Sequence, residues 1–528
     1  MYGSIVALDE SPLVEGLLYV GTDDGLIQVS EDGGQNWRKT DSFGDVPNMS
    51  LVEDIIASQV DRDVAYAVFD NHKRGDFKPY VLRTSDRGRT WHMISSGLPT
   101  RGSAHTIAED DVDPNLLFVG TEFGLFFTND GAATWHELTS LPTVAVRDLE
   151  IQRREDDLVV GTFGRGIYIL DDYSPLRSSN LKSEAAATLF PIRDAWLFVP
   201  DDRRGWGGRG DYGWARYAAD NPPGGAVISY YLPADLETRK ERRRDAEEER
   251  AKAGGDNPYP SWDELRREDR EEPPSVVLTV TDSDGNVVRR IDGPVEKGFH
   301  RVAWDMRYPA PDPVNLKPPA FRAPWISPPR GPLALPGTYT VTFSKRVEGN
   351  MEQIGAPQNF ELKALFNGGL VAADRKAVLD FETQTAALQR AVLGANKSVA
   401  EITDRLNHLK AAAELTPGAN EAQAQAVRDL ITRVADLKIS LNGDVTISKR
   451  EEPAPMSITA RVSDLVGGQW LSESDITQTY RDSYAVATEE FTKAMADLRS
   501  IANDLVELEK TFEDEGAPWT PGRLPDWP

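Results

Sequence analysis

The sequence predicts a multidomain chain, mainly β and then α. It reads as a partial β-propeller of four-stranded blades, an immunoglobulin-like β-sandwich and a C-terminal helical bundle. Three observations predict this. A turn motif recurs three times in the first 135 residues. Short strands separated by turn signals continue to about residue 365, and apolar residues then fall at helical spacing from Val371 to Glu515. At about 100–200 residues per domain, 528 residues suggest three or four domains.

The motif is [ST]-x-D-x-G-x-[TN]-W. It runs Ser30 to Trp37, Thr84 to Trp91 and, less perfectly, Thr128 to Trp135. Its tryptophans are 54 and then 44 residues apart. The aspartates Asp32, Asp86 and Asp130 can accept from backbone amides of a tight turn, and glycine supplies positive φ. Trp37, Trp91 and Trp135 then bury apolar surface between neighbouring units. A second element precedes the first and third motifs, Leu18-Tyr19-Val20-Gly21-Thr22 and Leu117-Phe118-Val119-Gly120-Thr121. Leu158-Val159-Val160-Gly161-Thr162 opens a fourth unit with no motif. A period of about 40–50 residues with several strands is the size of a propeller blade. Four blades are expected, at 2–40, 51–95, 104–138 and 145–172, within a region 1–175.

These residues resemble the Asp-box (BNR) repeat propellers, a group that includes sialidases, tandem-propeller xyloglucan hydrolases and sortilin-type ectodomains. The chain is most similar to the C-terminal portion of large bacterial exported BNR-repeat or sortilin-like glycosyl hydrolase proteins. Gly21-Thr22-Asp23-Asp24-Gly25-Leu26, Gly120-Thr121-Glu122-Phe123-Gly124-Leu125 and Gly161 to Asp172 carry the likeness. Those relatives have more blades, so the remaining blades are expected from upstream sequence or from another chain. Unpartnered blades would expose strand edges and an apolar face.

The sandwich is expected over 181–365. Its strands are Ala226–Leu232, Ser275–Thr281, Asn286–Ile291, His300–Tyr308 and Gly337–Phe343. Asn221 to Ala226 and Trp304-Asp305-Met306-Arg307 extend the resemblance. Asp282-Ser283-Asp284-Gly285 reads as a hairpin turn, because its glycine is misplaced for a calcium loop. An insert at 235–273 carries 10 basic and 14 acidic residues and is either a mixed-charge helix or disordered. Its matched charges argue against a nucleic-acid arm. A bundle follows over 370–515: one long helix or a pair broken near Gly394, then 420–441, then 474–513. An extended tail, 516–528, ends the chain.

Composition limits function. The formal net charge of −26 opposes binding to nucleic acid or anionic membranes through bulk charge. Zero cysteines exclude disulfides, thiolate nucleophiles and iron–sulfur ligation by this chain. No run of about 18 apolar residues exists, so no membrane span is expected. The first residues read as a strand, and no signal peptide is visible. No cofactor or metal site is expected; His92 and His136 follow motif tryptophans and should lie on outer strands.

The turn after each Gly-Thr strand is expected near the centre of the propeller. It holds Asp23 and Asp24, then Glu122, then Arg165. Glycosidases use two carboxyl groups about 5–10 Å apart. Asp23 or Asp24 with Glu122 is the candidate catalytic pair; solvated acidic turns are the alternative. Arg165 and the Gly-rich aromatic loop with Trp206 and Trp214 are candidate ligand contacts, since aromatic rings stack on sugars. The resemblance implies that the motif aspartates lie away from the ligand face. It also implies an extracytoplasmic protein that binds carbohydrate or protein, with a glycoside hydrolase and an assembly scaffold as alternatives.

Overall fold

Strand–turn–strand units begin at once. The structure is a computed structural model that describes residues 3–178, 186–199, 222–317, 321, 328–365 and 370–525. The chain divides into two compact units, Met1–Ala185 and Ala186–Pro528.

The first unit holds four antiparallel meanders. The first is β1 (Ile5–Glu10), β2 (Leu18–Thr22), β3 (Ile27–Ser30) and β4 (Arg38–Thr40). The second is β5 (Leu51–Ala57), β6 (Ala65–Asp70), β7 (Tyr80–Thr84) and β8 (His92–Met93). The third is β9 (Ala104–Glu109), β10 (Leu117–Thr121), β11 (Gly124–Thr128) and β12 (His136–Glu137). The fourth is β13 (Val146–Gln152), β14 (Asp157–Thr162) and β15 (Ile167–Leu170). It has three strands where four-stranded blades were expected. The reason is local: the motif links the third and fourth strands, and this unit lacks it. After β15 the chain enters α1 (Pro175–Ser178). There Arg177 pairs with Asp110 and Asp156, each at 2.7 Å, while Tyr173 donates to Asp110 at 2.6 Å.

Alternation along the strands builds the blade stack. Tyr19, Ile27 and Val29 share a core with Val52, Ile55, Ala65, Ala67 and Phe69. Tyr66 and Val68, on the opposite face of β6, join Ala104, Ile107 and Val119. Phe118, Leu125 and Phe127 join Val146, Leu149, Leu158 and Val160. The second and third blades therefore bury one face on the preceding blade and the other on the next, and the first and fourth each bury one face on a neighbour.

The motif turns are built as expected. Asp86 Oδ1 accepts from the Thr90 and Arg89 amides at 2.8 and 2.9 Å, and its Oδ2 accepts from the Thr90 hydroxyl at 2.7 Å. Asp32 takes the Asn36 amide and Asp130 the Thr134 amide, at 2.8 and 2.9 Å. Burial opposes ionisation of Asp86 and Asp130, yet the threonine hydroxyls and amides hold both carboxyls at about 2. Asp32 is lowered by its bonds from Asn36. The imperfect third copy leaves Ala132 in the left-handed region, φ 73°, where Gly34 and Gly88 stand in the others.

In the second unit, one sheet is β16 (Thr188–Leu189), β18 (Ala226–Leu232) and β21 (Gly298–Trp304). The other has the order β17 (Ala195–Leu197), β23 (Asn350–Ala364), β22 (Gly337–Val347), β19 (Ser275–Thr281) and β20 (Val287–Gly293). Their inner faces meet around Trp304, Tyr230, Leu278 and Phe343. The charged insert is helical: α2 (Arg239–Lys252) and α3 (Trp262–Asp269) both start in capping boxes, Thr238 with Glu241 and Ser261 with Glu264. Arg243 joins them by pairing with Glu268 at 2.6 Å.

The helical part holds α4 (Arg375–Leu415), α5 (Glu421–Asn442), α6 (Val445–Ser448), α7 (Ile458–Gln469) and α8 (Gln478–Asp514). α4 runs unbroken through Gly394, because no neighbour approaches that position and the flanking apolar residues keep their spacing. α7 packs with α4 and α8 and was not foreseen; it is short and Gly-containing. Arg307, buried at the end of the sandwich, donates to the Trp470 and Gly331 carbonyls at 3.1 Å and so joins sandwich to bundle. Among the described residues no helix is long and apolar enough to cross a membrane.

Candidate functional site

A β-bulge recurs where each first strand begins. Register with the second strand skips one residue: Val6 in β1, Glu53 in β5, His105 in β9 and Arg147 in β13. A bulge frees a side chain from the pleat and re-aims it. Three of these four residues meet.

His105 is the centre and is buried. Its Nε2 lies 2.9 Å from Glu122 Oε2, and its Nδ1 lies 3.0 Å from Arg147 Nη1. Arginine only donates, so Nδ1 accepts and Nε2 carries the proton given to Glu122. Arg147 Nη2 reaches Glu122 at 3.4 Å, and Nη1 lies 3.8 Å from Glu53 Oε1. Glu53 Oε1 is also 3.7 Å from His105 Nδ1. Two carboxylates are thus bridged by one imidazole and one guanidinium, drawn from three blades.

Aromatic rings border the cluster. The Arg147 guanidinium carbon stands 5.7 Å from the centroid of Phe163, whose ring is exposed. Phe123, next to Glu122, is also exposed and covers Gly102. Beside the bulge, Asp54 points to the next blade and accepts from the Ile107 amide at 3.0 Å. Burial pushes its carboxyl up to about 6.

The residues expected from sequence divide accordingly. Glu122 belongs to the cluster. Asp23 accepts from the Gly3 and Ser4 amides at 2.8 and 2.9 Å, and these bonds hold its carboxyl below the usual range. Asp24 accepts from the Thr22 hydroxyl at 2.5 Å. Neither is hydrogen-bonded to Glu122. Arg165 is exposed, and no ion pair forms on it among the described residues. Trp206 and Trp214 lie outside the described residues. Glu53, His105 and Arg147 were missed. His92 and His136 sit on the outer strands β8 and β12, as expected.

No protein-family model matches the chain. A xyloglucanase from Paenibacillus sp is 28% identical over 138 residues, which are 24% of this chain and 13% of that protein. The likeness therefore spans a small part of the curated relative. Among solved structures, the GH74 xyloglucanase of Xanthomonas campestris is similar over 67% of this chain and 45% of its own, at 15% identity and TM-score 0.29. YCF48 from Cyanidioschyzon merolae is similar over 32% and 52%, at 16% identity and TM-score 0.24.

Proposed function

We propose that this chain belongs to an extracytoplasmic Asp-box propeller protein that binds carbohydrate, with the Glu53–His105–Glu122–Arg147 cluster and the Phe163 ring as its recognition surface. One observation carries the reading: a hydrogen-bonded carboxylate–imidazole–guanidinium cluster lies beside an exposed aromatic ring. Carboxylates and guanidinium groups bind paired hydroxyls at fixed geometry, and an aromatic face stacks on the apolar face of a pyranose. The short likeness to a xyloglucanase makes a β-glucan-type oligosaccharide the first ligand to try. Titration of xyloglucan oligosaccharides is expected to show saturable binding that Phe163→Ala and Glu122→Gln each weaken at least tenfold. Unchanged binding by both variants would reject this surface.

A glycoside hydrolase with Asp23, Asp24 and Glu122 is the second reading, favoured by the same likeness. Glu122 accepts from an imidazole N–H and a guanidinium, the surroundings of an acceptor rather than of a proton donor. Reducing-end release that Glu122→Gln and Asp24→Asn both abolish would favour the hydrolase over the binder.

A further inference from the structure

The second blade closes one connection differently from its neighbours. The turn from second to third strand spans 23–26 in the first blade, 122–123 in the third and 163–166 in the fourth, yet 71–79 in the second. Two to four residues are enough to join these strands, so the longer turn is not needed to close the blade. It is nevertheless firmly built. Arg74 donates to the Asn48 and Met49 carbonyls at 2.8 and 2.9 Å, and Tyr80 donates to Asp76 at 2.7 Å. The Phe77 carbonyl accepts from the Gly102 amide at 2.8 Å. The carbonyl of the following residue, Ser103, accepts from the Glu122 amide at 2.9 Å, and the Phe123 ring covers Gly102. One dipeptide, Gly102-Ser103, thus ties this turn to the turn that holds Glu122.

The long turn opens on an aspartate–histidine pair. Asp70 is buried, while the His72 side chain is 45% exposed. Asp70 Oδ1 accepts from the His72 amide at 2.9 Å, and its Oδ2 meets the ring Nδ1. Burial opposes ionisation of Asp70, yet the His72 amide and ring hold its carboxyl below the usual range. A carboxylate only accepts, so Nδ1 carries the proton and the neutral ring keeps its lone pair on Nε2. Among the described residues Nε2 forms no hydrogen bond. His105 differs: it is buried, and both its nitrogens are taken inside the cluster. On the same turn as His72, Phe77 is exposed, as are Phe123 and Phe163 in the matching turns of the next two blades.

We infer that this turn is a second contact region of the recognition surface, where His72 Nε2 accepts a sugar hydroxyl and the Phe77 ring carries the apolar face of the same ligand. The inference rests on the carbohydrate reading above and extends it to the ligand's length. An imidazole with a free lone pair is here an acceptor fixed before the ligand arrives, because the buried Asp70 sets both its tautomer and its direction. The exposed rings recur once per blade, from Phe163 through Phe123 to Phe77. The ligand is therefore an oligosaccharide chain that crosses from the fourth blade to the second, not a single sugar.

Calorimetric titration of the full chain with a one-repeat and a two-repeat xyloglucan oligosaccharide tests this. The longer ligand is expected to bind about tenfold more tightly. His72→Leu, which removes the acceptor, and Phe77→Ala, which leaves the Asp70 pair in place, should each erase that gain. His72→Gln sets an amide oxygen near the place of Nε2 and should restore most of it, which a merely structural histidine would not. Equal affinity for the two lengths would overturn the inference. So would a gain with length that is indifferent to both His72→Leu and Phe77→Ala while Glu122→Gln still weakens binding. Either result leaves the carbohydrate reading standing, whereas no binding of either ligand would reject that reading and the inference together.

Discussion

Two acidic regions of the propeller unit use carboxylates in opposite ways. In the motif turns, each aspartate bonds within about four residues of itself, and both of its oxygens accept from its own turn. At the bulges, Glu53, His105 and Arg147 come from three blades and Glu122 from a turn, and they bond to one another. The first arrangement closes on itself and leaves nothing for a ligand. The second leaves Glu122, Arg147 and the Phe163 ring partly open to solvent. The motif aspartates are therefore structural, while Glu122, outside the motif, belongs to the proposed recognition surface.

The largest expected effect breaks the first side of this comparison. Asp86→Ala removes a charged acceptor of two amides and two hydroxyls. It should cost about 2–3 kcal/mol of unfolding free energy, read from urea titration, with ligand affinity unchanged. Arg147→Met acts on the other side. It leaves His105 Nδ1 without a donor, so about 1–2 kcal/mol of stability is expected to go, together with at least tenfold in affinity. The two variants thus separate stability from binding.

A pH profile sharpens the contrast further. Asp54 has its carboxyl raised by burial from 3.8 to about 6, while Asp86 is lowered to about 2. The folded state holds the Asp54 proton where the unfolded chain has released it. Its contribution is fully present below about pH 4 and lost as pH rises through about 6. Asp54→Asn keeps an acceptor for the Ile107 amide and should flatten that decline, about 1–2 kcal/mol, in unfolding measured from pH 4 to 7. The smallest change is a gain. Ala132→Gly relieves a left-handed alanine in the third turn and should raise stability by about 0.5–1 kcal/mol in the same urea titration.

The motif turns, the Val-Gly-Thr strands and the helix faces were legible because each is written in adjacent residues. α5 follows the apolar spacing of Val427, Leu430, Val434, Leu437 and Leu441. The absent fourth strand of the last blade was foreshadowed by its absent motif. The bulge residues were not legible one at a time. Glu53, His105 and Arg147 differ in chemistry, and only the shared register with their second strands aligns them in one column. Placing Val52-Glu53-Asp54 above Ala104-His105-Thr106 and Val146-Arg147-Asp148 would have exposed that column. At Asp23 and Asp24 the sequence shows a carboxylate and hides the Gly3, Ser4 and Thr22 donors that the fold brings to it.

One measurement tests the central claim most directly: calorimetric titration of the same oligosaccharides into the unaltered chain, Glu122→Gln and Asp86→Asn. The account predicts at least tenfold weaker binding for Glu122→Gln and unaltered affinity for Asp86→Asn below its unfolding temperature. Affinity lost in Asp86→Asn and kept in Glu122→Gln would contradict it, moving recognition from the bulge cluster to the motif turns.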